Sequence, residues 1–189
     1  MLSFRYVLST SAVLLAVLLF LNPQVASATS KKSVQTRHNE ISQDPWYRSV
    51  HPRAEKLEIE YGQVIYATAE EDNLDEVLII ALILAESDGN HKAHNKKSGA
   101  KGLGQIKLNA QKEAGCKNIS SGPRNIACMG KVLKGLRDKE KIVGLHNTVL
   151  AYYLGPTGAR EATEEDPWRP FVDPYVVRVV QTLMMLQGI

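Results

Sequence analysis

Glu86 closes an apolar run, Val77–Ala85, and is followed at once by Ser87. Gly102-Leu103-Gly104-Gln105 begins sixteen positions later, and Ala151-Tyr152-Tyr153-Leu154-Gly155-Pro156 follows further along. An acid at the wall of a buried helix faces low dielectric and the negative end of the helix dipole, and both penalise its charged form. A raised pKa and a proton held near neutral pH are what a general acid for glycosidic cleavage needs. The glycines let backbone approach a ligand, and Gln105 offers an amide that both donates and accepts. Tyr152, before the Gly155-Pro156 turn, adds an aromatic rim. Each feature is common alone: glutamates end many surface helices, glycine loops are widespread, and a helical aromatic is ordinarily core. Their joint order along one chain is what points to a sugar-cleaving groove.

The elements that must position these residues read as helices. After Pro52, Leu57, Tyr61, Val64, Ile65 and Thr68 recur at three- and four-residue steps, which predicts a helix to about Glu71 with one buried face. Asp72-Asn73 breaks it, and Asn73 is expected to cap the next helix, with Glu76 reaching back. That helix, Leu74 to Ser87, is apolar all round and should be the central buried one. A nine-residue apolar run also suits a buried strand; the capping signal and the length of the segment decide for helix. A loop to Gln105 follows, then a helix from about Lys107 to Ala114. Gly122-Pro123 turns the chain, and Ile126, Met129, Val132, Leu133 and Leu136 mark an amphipathic helix. A shorter one runs from His146 to Leu154. A long polar loop then leads to a last helix near Pro174, with Tyr175, Val179, Leu183 and Leu186 on one side. No period-2 alternation stands out, so the expected class is all-α.

Arg5 is the only charge before residue 31, and it precedes an apolar run that closes at Asn22-Pro23. Ala26-Ser27-Ala28 supplies the small-x-small pattern of a signal-peptidase site, so residues 1–28 read as a secretory signal peptide. The alternative is an uncleaved anchor that keeps the protein membrane-associated, but Tyr6 to Leu21 falls short of the ~20 residues a spanning helix needs. Residues 29–50 are polar and read as a flexible lead-in, its end tacked down by Trp46 and Tyr47. Residues 51–189 read as one domain. With 23 Lys+Arg against 20 Asp+Glu, the net charge of +3 is too weak and too scattered to argue for nucleic acid, though it suits an anionic wall polymer. Cys116 and Cys128, the only cysteines, are expected to form a disulfide in an exported chain; two buried free thiols are the alternative. Closing so short a loop contributes roughly 3 kcal/mol in the chain-entropy model.

The Glu86-Ser87 pair, the Gly102–Gln105 loop and Ala151-Tyr152 before Gly155-Pro156 together resemble the lytic transglycosylases of the SLT type, lysozyme-like enzymes that cut bacterial peptidoglycan. The resemblance covers roughly residues 52–186. Asn125-Ile126 with Gly130 and Leu133 is similar to the family's next helix, and Tyr175-Val176 with Val179 to its closing segment. The resemblance implies a goose-type lysozyme-like helical domain with little or no sheet. It assigns the acid/base role to Glu86 and substrate binding to Ser87, Gly102, Leu103, Gln105, Tyr152 and Tyr175. It implies glycan strands as partner, a periplasmic monomer, and no metal or other cofactor. The chain departs from the family where Met is common at positions 104 and 107 and Asn at position 153; here stand Gly104, Lys107 and Tyr153. Gly89 and His91 replace an aromatic and a proline usual just after the Glu-Ser pair. Gly104 is expected to leave a roomier groove.

A glycosidase that uses water normally pairs two carboxylates. Asp88 and Asp173 are the nearest candidates for a second, and both are expected to be solvated. One acid suits the transglycosylase reaction, in which Glu86 protonates the bridging oxygen and the sugar's own C6 hydroxyl closes a 1,6-anhydro ring. The rivals are a hydrolytic goose-type muramidase and a non-catalytic peptidoglycan-binding module. His91 and His94 form His-x-x-His without the His-Glu-x-x-His pattern of a zinc site. Ser87 lacks the Gly-x-Ser-x-Gly elbow of a nucleophile and is expected to bond the end of its own helix. A small exported enzyme suits general wall turnover and the opening of the wall for a secretion apparatus, a pilus or a conjugation machine alike.

Overall fold

The computed structural model describes residues 45–188. The leader and most of the lead-in expected before Val50 lie outside these residues, as do the side chains of Trp46 and Tyr47. Among the described residues the chain forms eight helices: α1 Pro45–Asp72, α2 Glu76–Ser87, α3 Leu108–Glu113, α4 Gly122–Asp138, α5 Leu145–Leu154, α6 Pro156–Glu165, α7 Arg169–Val172 and α8 Pro174–Gln187. There is no sheet among them, only isolated bridges joining Lys101 to His94 and to Ile106. None of these helices is long and apolar enough to cross a membrane.

Helix α2 is the centre, as its composition requires. Every residue from Leu78 to Leu84 is buried, so the helix has no solvated face between its first and last turns. α1 covers one side of it with Val50, Ala54, Leu57, Tyr61, Ile65 and Ala69, at the three- and four-residue steps of a single stripe. α8 covers another with Val176, Val179, Val180 and Leu183. α4 packs on α1 and presents Ile126, Met129, Leu133 and Leu136 to the core. α5 packs on α4 and α8 and adds Val149, Leu150 and Ala151 to the core.

Several boundaries differ from expectation, each for a local reason. α1 starts at Pro45 rather than after Pro52, and the proline sits inside the helix. Val50, one turn into α1 and fully buried, gives that early turn a place in the core. Asn73 does not cap α2. Its backbone is left-handed (φ +50°) as it leaves α1, and Asp75 takes the cap instead, accepting the Val77 amide proton at 2.8 Å. The polar stretch between α5 and α8 is not a loop. Pro156 and Pro170 open α6 and α7 from first-turn positions, where a missing N–H costs nothing. Gly122-Pro123 likewise begins α4 rather than merely turning the chain.

The expected disulfide joins Cys116 to Cys128. It ties the loop after α3 to the second turn of α4, holding two segments that flank the cleft described next.

Candidate active site

Glu86 occupies the last turn of α2, where the buried helix emerges from the core. A cleft of about 1030 Å³ opens there; Glu86, Gln105, Lys107, Tyr152 and Tyr153 are among its walls. The carboxyl group is only partly exposed. Burial raises its pKa above the ordinary carboxylate range, against two opposing influences: a hydrogen bond from Tyr175 and the nearby charge of Lys107. Desolvation outweighs both, so the proton is held more tightly than by a surface glutamate.

The Tyr175 hydroxyl donates to Glu86 Oε1 at 2.5 Å. Tyr175 is itself fixed by α8's own cap. Asp173, 3 % exposed, accepts the Tyr175 backbone proton at 2.9 Å and that of Arg169 Nε at 3.0 Å. Asp173 is therefore buried and fully engaged, not solvated as expected. Asp88 is exposed and pairs with Arg53. Asp173 has both carboxylate oxygens engaged, and neither candidate for a second carboxylate lines the cleft.

The glycine loop is built around Asn125, a buried polar residue of α4. Its Oδ1 accepts the Gly104 amide proton at 2.8 Å, and its Nδ2 donates to the Lys101 carbonyl at 3.0 Å. Gly102 has φ +77°, and a Cβ there would collide with the Asn125 amide; only glycine meets both demands. Gln105 also has a left-handed backbone, φ +45°. Its Nε2 donates to the carbonyls of Gly102 and Ala93, at 3.0 and 3.2 Å, which leaves the side-chain oxygen for the cleft.

Gly104 does not widen the groove as expected. A Cβ there would lie 2.8 Å from Tyr152 Oη and 3.0 Å from Met129 Sδ. The space is filled by Tyr152, whose hydroxyl donates to the Gly104 carbonyl at 2.7 Å. Burial, with the Glu86 charge adding to it, pushes the Tyr152 hydroxyl well above its usual pKa, so it stays a neutral donor.

Of the residues assigned to the site from sequence, Glu86, Gln105 and Tyr152 meet at the cleft, and Tyr175 reaches it through Glu86. Leu103 does not: it is fully buried in the core and cannot touch substrate. Gly102 is buried too and acts on the loop's shape. Ser87 Oγ donates to the Ile83 carbonyl at 3.3 Å, a bond within its own helix. Asn125 was missed as a site-building residue. The available signal was an amide directly before the apolar stripe of α4.

No curated protein matches the chain with significance. The family model for the transglycosylase SLT domain matches residues 63–171, a span that takes in Glu86, Gln105 and Tyr152 and stops short of Tyr175. The SLT domain is a lysozyme-like all-α fold of lytic-transglycosylase type whose members act on peptidoglycan. The match spans more than half of the 189 residues, and the chain belongs to this family.

Proposed function

We propose that this protein is an exported peptidoglycan lytic transglycosylase that cleaves the β-1,4 bond between N-acetylmuramic acid and N-acetylglucosamine. The observation that carries the reading is Glu86 itself: a proton-holding acid on the last turn of the buried helix, opening on a polymer-sized cleft and gripped by Tyr175. Glu86 gives its proton to the bridging oxygen as the C1–O bond breaks. The 2-acetamido oxygen of the muramic acid closes on C1 and shares its positive charge. Glu86, now ionised, takes the proton of the C6 hydroxyl, and O6 displaces the acetamido oxygen from C1. The products are a free 4-hydroxyl and a 1,6-anhydro ring, with Glu86 protonated again and no water consumed.

The roles of the neighbours follow from their bonds. Tyr175 stabilises the ionised state between the two proton transfers, when Glu86 must act as a base. The Gln105 side-chain oxygen is placed to accept from a sugar hydroxyl or amide. Tyr152 and Asn125 hold the loop. Neither Asp88 nor Asp173 lines the cleft, which disfavours a hydrolytic route that pairs either of them with Glu86.

Mass spectrometry of products from purified sacculi tests the reaction. Anhydro ends are expected. Reducing ends in their place would identify a hydrolytic muramidase, and intact sacculi a binding module.

A further inference from the structure

Tyr153 stands where the family commonly carries asparagine, and no step above uses it. It is 45 % exposed, lines the cleft next to Tyr152, and lies flat against Tyr175, with ring centroids 4.4 Å apart and planes within 13°. Tyr175 is the residue that donates to Glu86. The three therefore form a connected unit, Tyr153 stacked on the Tyr175 ring and Tyr175 bonded through its hydroxyl to the acid. Tyr175 is anchored through its backbone by buried Asp173, so the Tyr153 ring packs on a fixed support. Among the described residues the Tyr153 hydroxyl makes no hydrogen bond, and its ring is held by the stack on Tyr175.

An exposed aromatic face in a cleft whose walls mix apolar side chains with polar ones such as Gln105, Asn109 and Lys107 suits a ligand with both characters. A pyranose offers them: one face of axial C–H groups, which packs on an aromatic ring, and a rim of hydroxyl and acetamido groups for partners such as Gln105. We propose that Tyr153 is a specificity-determining and positioning residue, a platform that takes a sugar ring of the glycan strand and clamps Tyr175 onto Glu86. The proposal rests on the transglycosylase reading and names a contact within it. It implies that substrate seated on Tyr153 shields Tyr175 and tightens its hold on the acid.

Glu86 is faced by Tyr175 from α8, Tyr152 from α5 and Lys107 from the loop before α3. Removing the Tyr153 ring lets water reach Tyr175 and the acid, which relieves desolvation and brings the Glu86 pKa down. The fall in activity at rising pH then begins at lower pH. A ring without the hydroxyl keeps the shield in place.

The test uses the full chain and the substitutions Tyr153→Ala and Tyr153→Phe. In a Glu86→Gln background, binding of chitotetraose is measured by calorimetry; in the parent background, the pH dependence of sacculus digestion is measured. Tyr153→Ala is expected to weaken chitotetraose binding about tenfold and Tyr153→Phe by less than about twofold. Tyr153→Ala also shifts the activity fall to lower pH, while Tyr153→Phe retains the parent profile. Thermal unfolding near the parent temperature for both variants shows that the effects are local. Equal binding by Tyr153→Ala and its parent, no binding of chitotetraose by the parent, an unmoved pH profile, or identical losses in Tyr153→Ala and Tyr153→Phe would each overturn the platform. A Glu86→Gln enzyme that still digests sacculi would instead sink the catalytic reading, and the binding comparison would remain informative by itself.

Discussion

Tyr175 grips Glu86 across 89 positions of sequence, its hydroxyl 2.5 Å from Oε1. This bond joins the end of the buried helix to the start of the last one. It supports the charged form of an acid whose surroundings otherwise favour the neutral form. The proposed reaction needs both forms in turn, and in it the bond sets the balance between them.

Tyr175→Phe removes the donor and leaves the ring. Without it the Glu86 pKa rises further, because the lost bond lowers it. The decline of activity at rising pH moves to higher pH, and the maximal rate drops roughly tenfold, the scale of a hydrogen bond to a charged group. A pH–rate profile on solubilised peptidoglycan reads both effects. A decline moved to lower pH would contradict this role.

Glu86 also bears on stability. In an unfolded chain a glutamate titrates near ~4.3; folding raises Glu86 above that, so the folded state holds the proton to higher pH. Below the unfolded value both states are protonated and nothing is gained by replacing the acid. Above it, the folded protein increasingly bears the cost of burying a charge. Glu86→Gln is therefore expected to raise the melting temperature at neutral pH and hardly at all near pH ~3. Melting curves at the two pH values decide it, and a destabilised variant at neutral pH would contradict the burial argument.

The Cys116–Cys128 bond closes a short loop beside the cleft. Replacing both cysteines by alanine is expected to cost about 3 kcal/mol in denaturant unfolding, by the entropy of loop closure. The wall formed by Ala110, Glu113 and Ala114 loses its tether, so substrate affinity falls with stability. A change below about 0.5 kcal/mol would mean that α3 is held by packing alone.

What could be read along the chain was what short-range patterns record. The run Val77–Ala85 announced the central helix, and the stripes of α1, α4 and α8 were visible as repeats of three and four. α6 is hard to see that way because its inner face is made of small residues, Ala159 alone buried in full, and no large apolar side chain marks the stripe. Its one local signal, Pro156 after Gly155, was read as a turn although proline is equally at home in a first helical turn. The site divides in the same way. Glu86, Gln105 and Tyr152 carry recognisable neighbours in sequence. The Tyr175 grip, the Asn125 pin and the Tyr153–Tyr175 stack join residues 89, 21 and 22 positions apart and exist only once the helices are packed. Leu103 shows the converse: a motif position assigned to substrate whose side chain belongs to the core.

The proposed reaction turns on one proton, carried by Glu86. Glu86→Gln preserves the side chain's size and its ability to accept from Tyr175, and removes only the acid. With purified sacculi as substrate, release of soluble muropeptides by this variant is expected to fall by at least about 10³-fold. Release at the parent's rate would contradict the account.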